Sequence, residues 1–277
     1  MRTSRTGSVL KPAGFLLVPL LAAGCFQGQR VIRVNANGSG TITDTVTLGD
    51  EARSMMEGLK QNLGPEAGKQ SDPLAERTAT EAKLRERAAA MGPGVTLVSF
   101  QPAVGQGPEK VTYAFADINK IRIAPTPDFP ENDSKDAAKE PLTFRLEKRG
   151  AVWVLTVTGA GPKPKEKKDT AAPSAEAAPA AAGMQAGALA MMKAVMKGLK
   201  MTTQVQVDGT LVSTTSPWVQ GSKVTLLDVD FDQLMADEAS FKKLSEVGDP
   251  SQLDPALLKD VKGIKVQTTP VTTIEFR

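Results

Sequence analysis

The segment Val31–Leu48 reads VIRVNANGSGTITDTVTL and is the part of the chain most informative about its fold. Apolar and polar residues alternate on both sides of Asn37-Gly38-Ser39. Alternation with period two is typical of a half-buried β-strand, and Asn-Gly between two such runs is a strong hairpin signal. We therefore predict a β-hairpin with one buried face and one wetter face that is rich in threonine.

Asp44 is the residue of this hairpin that breaks the pattern. The alternation assigns it to the buried face, between Ile42 and Val46. A carboxylate is rarely buried without a partner. We predict that Asp44 either lies at a sheet edge or pairs with a nearby arginine.

Similar short apolar patterns recur along the chain and are separated by turn residues. They predict further strands at 95–100, 110–115, 143–146, 153–158, 203–207, 211–214, 223–229, 266–268 and 272–276. Helical periodicity predicts helices at about 50–64, 72–91 and 184–200, with short helices near 231–244 and 257–261. Antiparallel strands with helices gathered between them predict an α+β fold, a mainly antiparallel sheet with helices packed on one face.

Residues 161–183 differ in composition from the segments on either side. They are rich in Lys, Pro and Ala and lack apolar periodicity, so we predict a disordered insertion there. The insertion divides the chain into an N-terminal part, 25–160, and a C-terminal part, 184–277. The sequence leaves open whether these parts are one body or two subdomains.

The first residues have the layout of a secretory signal. Arg2, Arg5 and Lys11 precede the apolar run Phe15–Ala23, which ends in small residues before Cys25. The run is too short to cross the ~30 Å hydrocarbon core of a bilayer, which needs about 20 residues. We predict a signal peptide at 1–24 that is cleaved between Gly24 and Cys25.

The sequence Ala22-Ala23-Gly24-Cys25 resembles the lipobox of bacterial lipoproteins, with Leu21 one place further out than in the commonest pattern. The resemblance implies that the thiol of Cys25 carries a diacylglyceryl group with chains such as palmitate. It also implies a lipid-anchored protein of the bacterial cell envelope. Phe26, rather than aspartate, follows the cysteine, and this favours the outer membrane if the source is Gram-negative.

The composition excludes several classes of site. The chain has no histidine and a single cysteine, so His-based catalytic pairs, His-based zinc sites and disulfide frameworks are impossible. Removal of residues 1–24 leaves 31 basic and 31 acidic residues, which gives no electrostatic footprint for nucleic acid. We predict no cofactor, no metal and no nucleic-acid partner.

An acidic run includes Asp228, Asp230, Asp232, Asp237 and Glu238. Its start resembles an EF-hand loop, but the sixth and twelfth positions hold Gln233 and Ala239 instead of glycine and an acid. We expect a strand end there, with one aspartate capping the helix that carries Leu234.

The segment Met184–Lys200 has methionines on one helical face and lysines on the other. It fits three roles: a core helix against the sheet, a helix lying on an anionic membrane, or a methionine-lined groove for an apolar ligand. The candidates for membrane or ligand contact are Met191, Met192, Lys193, Met196, Lys197, Lys200 and Trp218, the last in a loop between strands.

Two segments, Val31–Leu48 and Val205–Asp232, resemble the LppM-type lipoprotein domain over about half of the mature chain. The resemblance implies an envelope-anchored, non-enzymatic α+β body and supplies no site residues. We therefore expect a binding or scaffold module with an envelope protein or an amphiphile as its partner. The alternatives are a carrier of lipid or another amphiphile in an apolar groove, and a carboxylate-based hydrolase.

Overall fold

The computed structural model describes residues 26–49, 73–105, 107–127, 140–161, 196–237 and 261–277. The strands are β1 Phe26–Val34, β2 Gly40–Leu48, β3 Thr96–Gln101, β4 Glu109–Phe115, β5 Arg122–Ile123, β6 Leu142–Arg149, β7 Val152–Thr158, β8 Leu199–Val207, β9 Leu211–Thr214, β10 Val219–Gln220, β11 Lys223–Asp230, β12 Ile264–Val266 and β13 Val271–Phe276. The helices are α1 Pro73–Met91, a 3₁₀ helix Ile118–Lys120, and α2 Phe231–Ala236.

The predicted hairpin is present as β1 and β2, with Ile32 opposite Ile42. The backbone N–H of Asn35 donates to the carbonyl of Ser39 at 2.8 Å and closes the turn. Gly38 has a φ of +84°, a conformation that glycine adopts without steric cost. The alternating pattern and the turn chemistry therefore agree with the structure in this part of the chain.

The strands form two sheets. The larger sheet has the order β10-β11-β8-β1-β2-β4-β3, with β12 also paired to β11. All its pairs are antiparallel except β1–β8, which is parallel. The smaller sheet has the order β5-β6-β7-β13-β9 and is antiparallel throughout.

One hydrophobic core joins the two sheets to α1. Its fully buried side chains include Ile32, Ile42 and Val205 from the larger sheet and Leu155, Ile274 and Phe276 from the smaller sheet. Helix α1 adds Leu84, Ala88 and Met91, which share one helical face. Complete burial of a side chain such as isoleucine or phenylalanine contributes roughly 1.5–3 kcal/mol. This shared core covers one face of the larger sheet.

The predicted α+β class, with helices packed on one face of a sheet, is wrong. Strands account for 52% of the described residues and helices for 16%, and the architecture is mainly β with two sheets. The inner face of the larger sheet is covered largely by a second sheet, which includes the predicted strands near 153–158 and 272–276. Periodicity identifies a strand, but it does not say which sheet the strand joins.

Both sheets draw strands from both sides of the low-complexity stretch. In the larger sheet β8 lies beside β1, and in the smaller sheet β13 lies beside β7. The predicted helix at 50–64, the signal peptide at 1–24, Cys25 and nearly all of the predicted insertion lie outside the described residues. Neither of the two α-helices in the described part is long and apolar enough to cross a membrane.

Candidate binding groove on the larger sheet

The outer face of the larger sheet carries a row of polar residues across four neighbouring strands. Gln29 of β1 lies opposite Thr202 of β8, Thr202 lies opposite Asp228 of β11, and Asp228 lies opposite Lys265 of β12. Along β8, the outward Lys200, Thr202 and Gln204 alternate with the buried Thr203, Val205 and Val207. Period-two alternation thus directs one set of side chains to the core and the other to this surface.

A β-bulge determines which face receives the two aspartates of β11. The register with β8 shifts between Thr225 and Leu227. Val224 and Leu226 point into the core, and unbroken alternation would send Asp228 and Asp230 the same way. The extra residue reverses the alternation, so these carboxylates reach the outer face beside Thr202 and Lys200.

The same bulge fixes the loop that carries Trp218. The N–H of Thr225 donates to the carbonyl of Trp218 at 2.9 Å. The buried side chain of Gln267 donates from Nε2 to the carbonyl of Thr225 at 2.6 Å and to Oγ of Ser216 at 2.9 Å. Oγ of Ser216 in turn accepts the N–H of Trp218 at 3.2 Å. Trp218 is therefore anchored through its backbone on both sides before any ligand is present.

Trp218 forms one wall of a groove above this polar row. Two adjoining cavities of about 300 Å³ and about 390 Å³ share Lys200, Trp218, Asp228 and Lys265 among their lining residues. The indole is half-buried, and its Nε1 is buried without a hydrogen-bond partner among the described residues. A buried donor without an acceptor costs about 1–3 kcal/mol, so an acceptor that reached it would be favoured.

Four of the five charged side chains that line the groove form two ion pairs, and Lys262 is the fifth. Nζ of Lys265 lies 3.0 Å from Oδ2 of Asp228, and Nζ of Lys200 lies 3.4 Å from Oδ2 of Asp230. Oγ1 of Thr202 donates to the other oxygen of Asp228 at 3.1 Å. The lysines stay about half exposed, so these pairs add little stability. With Lys262 included, three lysines and two aspartates line the groove, so it carries one excess positive charge.

Aspartates of the acidic run accept hydrogen bonds within the protein, and one of them caps a helix, as expected from the sequence. Asp230 caps α2, the helix of Leu234, by accepting the N–H of Gln233 at 3.1 Å. Asp232 accepts the N–H of Gly198 at 2.8 Å. Asp237 is the C-cap residue that follows α2, and Glu238 lies outside the described residues. Among the described side chains, no group of three or more acids or other common ligands is placed to hold a metal.

A second polar centre lies inside the core. Asp44 pairs with Arg30, as one of the two predictions for it required, and it is not at a sheet edge because β2 lies between β1 and β4. Nη1 of Arg30 also donates to the carbonyls of Ala124 and Thr126 at 2.7 and 2.9 Å. This centre ties the segment after β5 to the larger sheet, which is a structural role.

Burial raises the pKa values of two residues of β4. Burial raises the pKa of Tyr113 to about 12, and the nearby guanidinium of Arg87 opposes the shift. Burial also raises the pKa of Glu109, again opposed by the charge of Arg87. Both residues belong to β4 and lie away from the groove lining.

The residues predicted for membrane or ligand contact are dispersed. Trp218 and Lys200 lie in the groove. Lys200 belongs to β8, not to a helix reaching residue 200, because its backbone continues the ladder with β1. Met196 is half-buried and Lys197 exposed. Three of the predicted contacts, Met191, Met192 and Lys193, lie outside the described residues, as do Gly24 and Cys25 of the predicted lipidation site.

Sequence reasoning missed the groove residues Gln29, Thr202 and Lys265. They come from three separate segments and meet only through the order of the strands. No protein family, no curated protein and no solved structure matches this chain.

Proposed function

We propose that this chain is a lipid-anchored lipoprotein of the bacterial envelope and that its β-rich body is a non-enzymatic binding module. One observation carries the anchoring: the lipobox-like Ala22–Cys25 is followed at once by β1, which begins at Phe26. Acylation of Cys25 would attach lipid to the first residue before the larger sheet. Two or three acyl chains are enough for stable anchoring.

The groove is the proposed binding surface. It is built on adjacent strands of one sheet, and the backbone of Trp218 donates to buried Ser216, which in turn accepts from buried Gln267. Sites on such rigid elements lose little conformational entropy when a ligand binds. The larger of the two cavities, lined by Gln29, Thr202, Gln204 and Asp228 among others, is mainly polar and favours a polar partner over the acyl tail that an amphiphile carrier would hold.

The pairing of the carboxylates supports binding over hydrolysis. A carboxylate-based glycosidase needs two acids flanking the bond, one of them with a raised pKa. Asp228 and Asp230 each have a lysine partner, whereas Glu109, whose pKa is raised, lies on β4 outside the groove lining.

Metabolic labelling with an alkyne analogue of palmitate in a bacterial host tests the anchoring. The unmodified sequence should incorporate the label and sediment with membranes. The matched control, Cys25→Ser, keeps the rest of the signal sequence but should incorporate none. Equal labelling of both, or labelling of neither in a host that acylates a reference lipoprotein, would contradict the proposal.

A further inference from the structure

We infer that the groove binds an oligosaccharide, with a pyranose ring stacked on Trp218 and its hydroxyls bonded to the polar row beneath. The inference rests on the proposed role as a binding module and names the chemical class of its ligand. Three properties of the groove carry it: the aromatic wall, the repeat of the polar row, and the pairing of both carboxylates with lysines.

The wall suits the apolar face of a sugar ring. One side of a pyranose presents C–H groups, which pack against an aromatic plane, while the rim of the ring carries hydroxyls. A tryptophan supplies a large rigid surface with few rotatable bonds. Trp218 is half-buried, and its backbone is held through Ser216 and Thr225, so the loop that presents the indole is already positioned.

The floor suits a chain of hydroxyl groups. The row Gln29–Thr202–Asp228–Lys265 crosses the strands, so its members repeat at the strand spacing of about 4.8 Å. That spacing is close to the repeat of sugar units in an extended glycan. Each oxygen of Asp228 already accepts one hydrogen bond and has a lone pair left for a ligand hydroxyl.

The ion pairs of the groove distinguish this ligand class from others. Recognition of phosphate relies on cations that are free to form charge-assisted bonds, but two of the three lining lysines, Lys200 and Lys265, are paired with Asp230 and Asp228. The larger cavity, which contains the polar row, has a mainly polar lining that disfavours an acyl chain, because such a chain would leave these groups desolvated. A neutral polyol can donate to the carboxylates and accept from the lysines without breaking the two ion pairs.

Two envelope glycans offer this chemistry, the glycan strands of peptidoglycan and the saccharide portion of lipopolysaccharide.

The chain has two tryptophans, so Trp153→Phe leaves Trp218 as the only indole. The fluorescence emission of this variant then reports on the groove. Peptide-free glycan strands and delipidated core oligosaccharide would be titrated separately against this variant. A saturable change of emission with either one supports the inference and identifies the source.

Substitutions then locate the binding. Asp228→Asn should weaken binding of the titrated glycan about tenfold. Trp218→Ala should abolish the ligand-observed NMR signal of that glycan. Glu275→Gln removes a carboxylate that accepts from Ser213 at 2.8 Å on the smaller sheet, and should leave binding unchanged. Circular dichroism confirms that each variant is folded.

No saturable change with either glycan at millimolar concentration would overturn the inference, and so would binding that survives Trp218→Ala and Asp228→Asn. Acylation of Cys25 is measured independently. A protein that is acylated but binds neither glycan would be consistent with the proposed anchoring and would contradict the proposed ligand class.

Discussion

The guanidinium of Arg30 meets the carboxylate of Asp44 side by side in the core, with Nε 2.7 Å from Oδ1 and Nη2 2.6 Å from Oδ2. The two residues are direct partners on β1 and β2. Arg30 is fully buried, and Oγ1 of Thr203 donates to the carbonyl of Pro125 at 2.6 Å beside it. The ion pair joins the two strands of the central hairpin, while Nη1 of Arg30 and Oγ1 of Thr203 bind the backbone of the segment that follows β5.

Loss of Asp44 should destabilise the protein strongly. Asp44→Ala leaves the guanidinium of Arg30 buried without a counter-charge, which costs about 3–5 kcal/mol. The free energy of unfolding in urea measures this, and Asp44→Asn should fall between the alanine variant and the wild type. Arg85→Ala is the control, because its pair with Glu81 is exposed and worth about 0.5 kcal/mol or less. Equal costs for Asp44→Ala and Arg85→Ala would contradict the structural role of the buried pair.

Stability should fall in alkaline solution because of Tyr113. Burial raises its pKa from 10.0 to about 12, so the folded state holds the proton more tightly than the unfolded state does. The contribution is complete below the unfolded pKa and is lost as the pH rises from about 10 to about 12. Tyr113 is the only tyrosine, so tyrosinate absorbance reports it directly, and Tyr113→Phe should remove this component of the pH dependence. A midpoint near 10 in the folded protein would refute the burial argument.

Gln267 should keep the loop of Trp218 ordered through its hydrogen bonds to Ser216 and Thr225. Its Nε2 donates to Oγ of Ser216 and to the carbonyl of Thr225, and Gln267→Ala removes both bonds. The carbonyl of Thr225 still accepts from Oγ of Ser216 at 3.4 Å, so we expect the cost of the lost hydrogen bonds alone, about 1 kcal/mol each. Amide hydrogen exchange should become faster at Trp218 and Thr225, while β6 and β7 keep their protection. Unchanged exchange around Trp218 would mean that the loop is fixed by other contacts.

The hairpin, the position of α1 and, as one of two alternatives, the pairing of Asp44 with an arginine could be predicted because each depends on local pattern. Strand alternation, turn residues and the cost of a lone buried carboxylate are all visible in one segment. Helix α1 begins at Pro73 and ends at Met91, close to the prediction of 72–91.

The strand order could not be predicted, because it depends on contacts between distant segments. β1 and β8 pair in parallel across the low-complexity stretch, and no local pattern encodes that choice. Lys200 illustrates the consequence: the helical periodicity before it suggested a helix, but pairing with Gln27 makes it part of a strand. The bulge at Thr225 is equally hidden, and it decides which face receives Asp228 and Asp230.

The mass of the N-terminal peptide of protein purified from membranes tests the central claim, envelope anchoring through Cys25, most directly. The account predicts that residues 1–24 are absent and that Cys25 is the first residue, carrying a diacylglyceryl group on its sulfur. A peptide that retains residues before Cys25, or that begins at Cys25 with a free thiol, would contradict it.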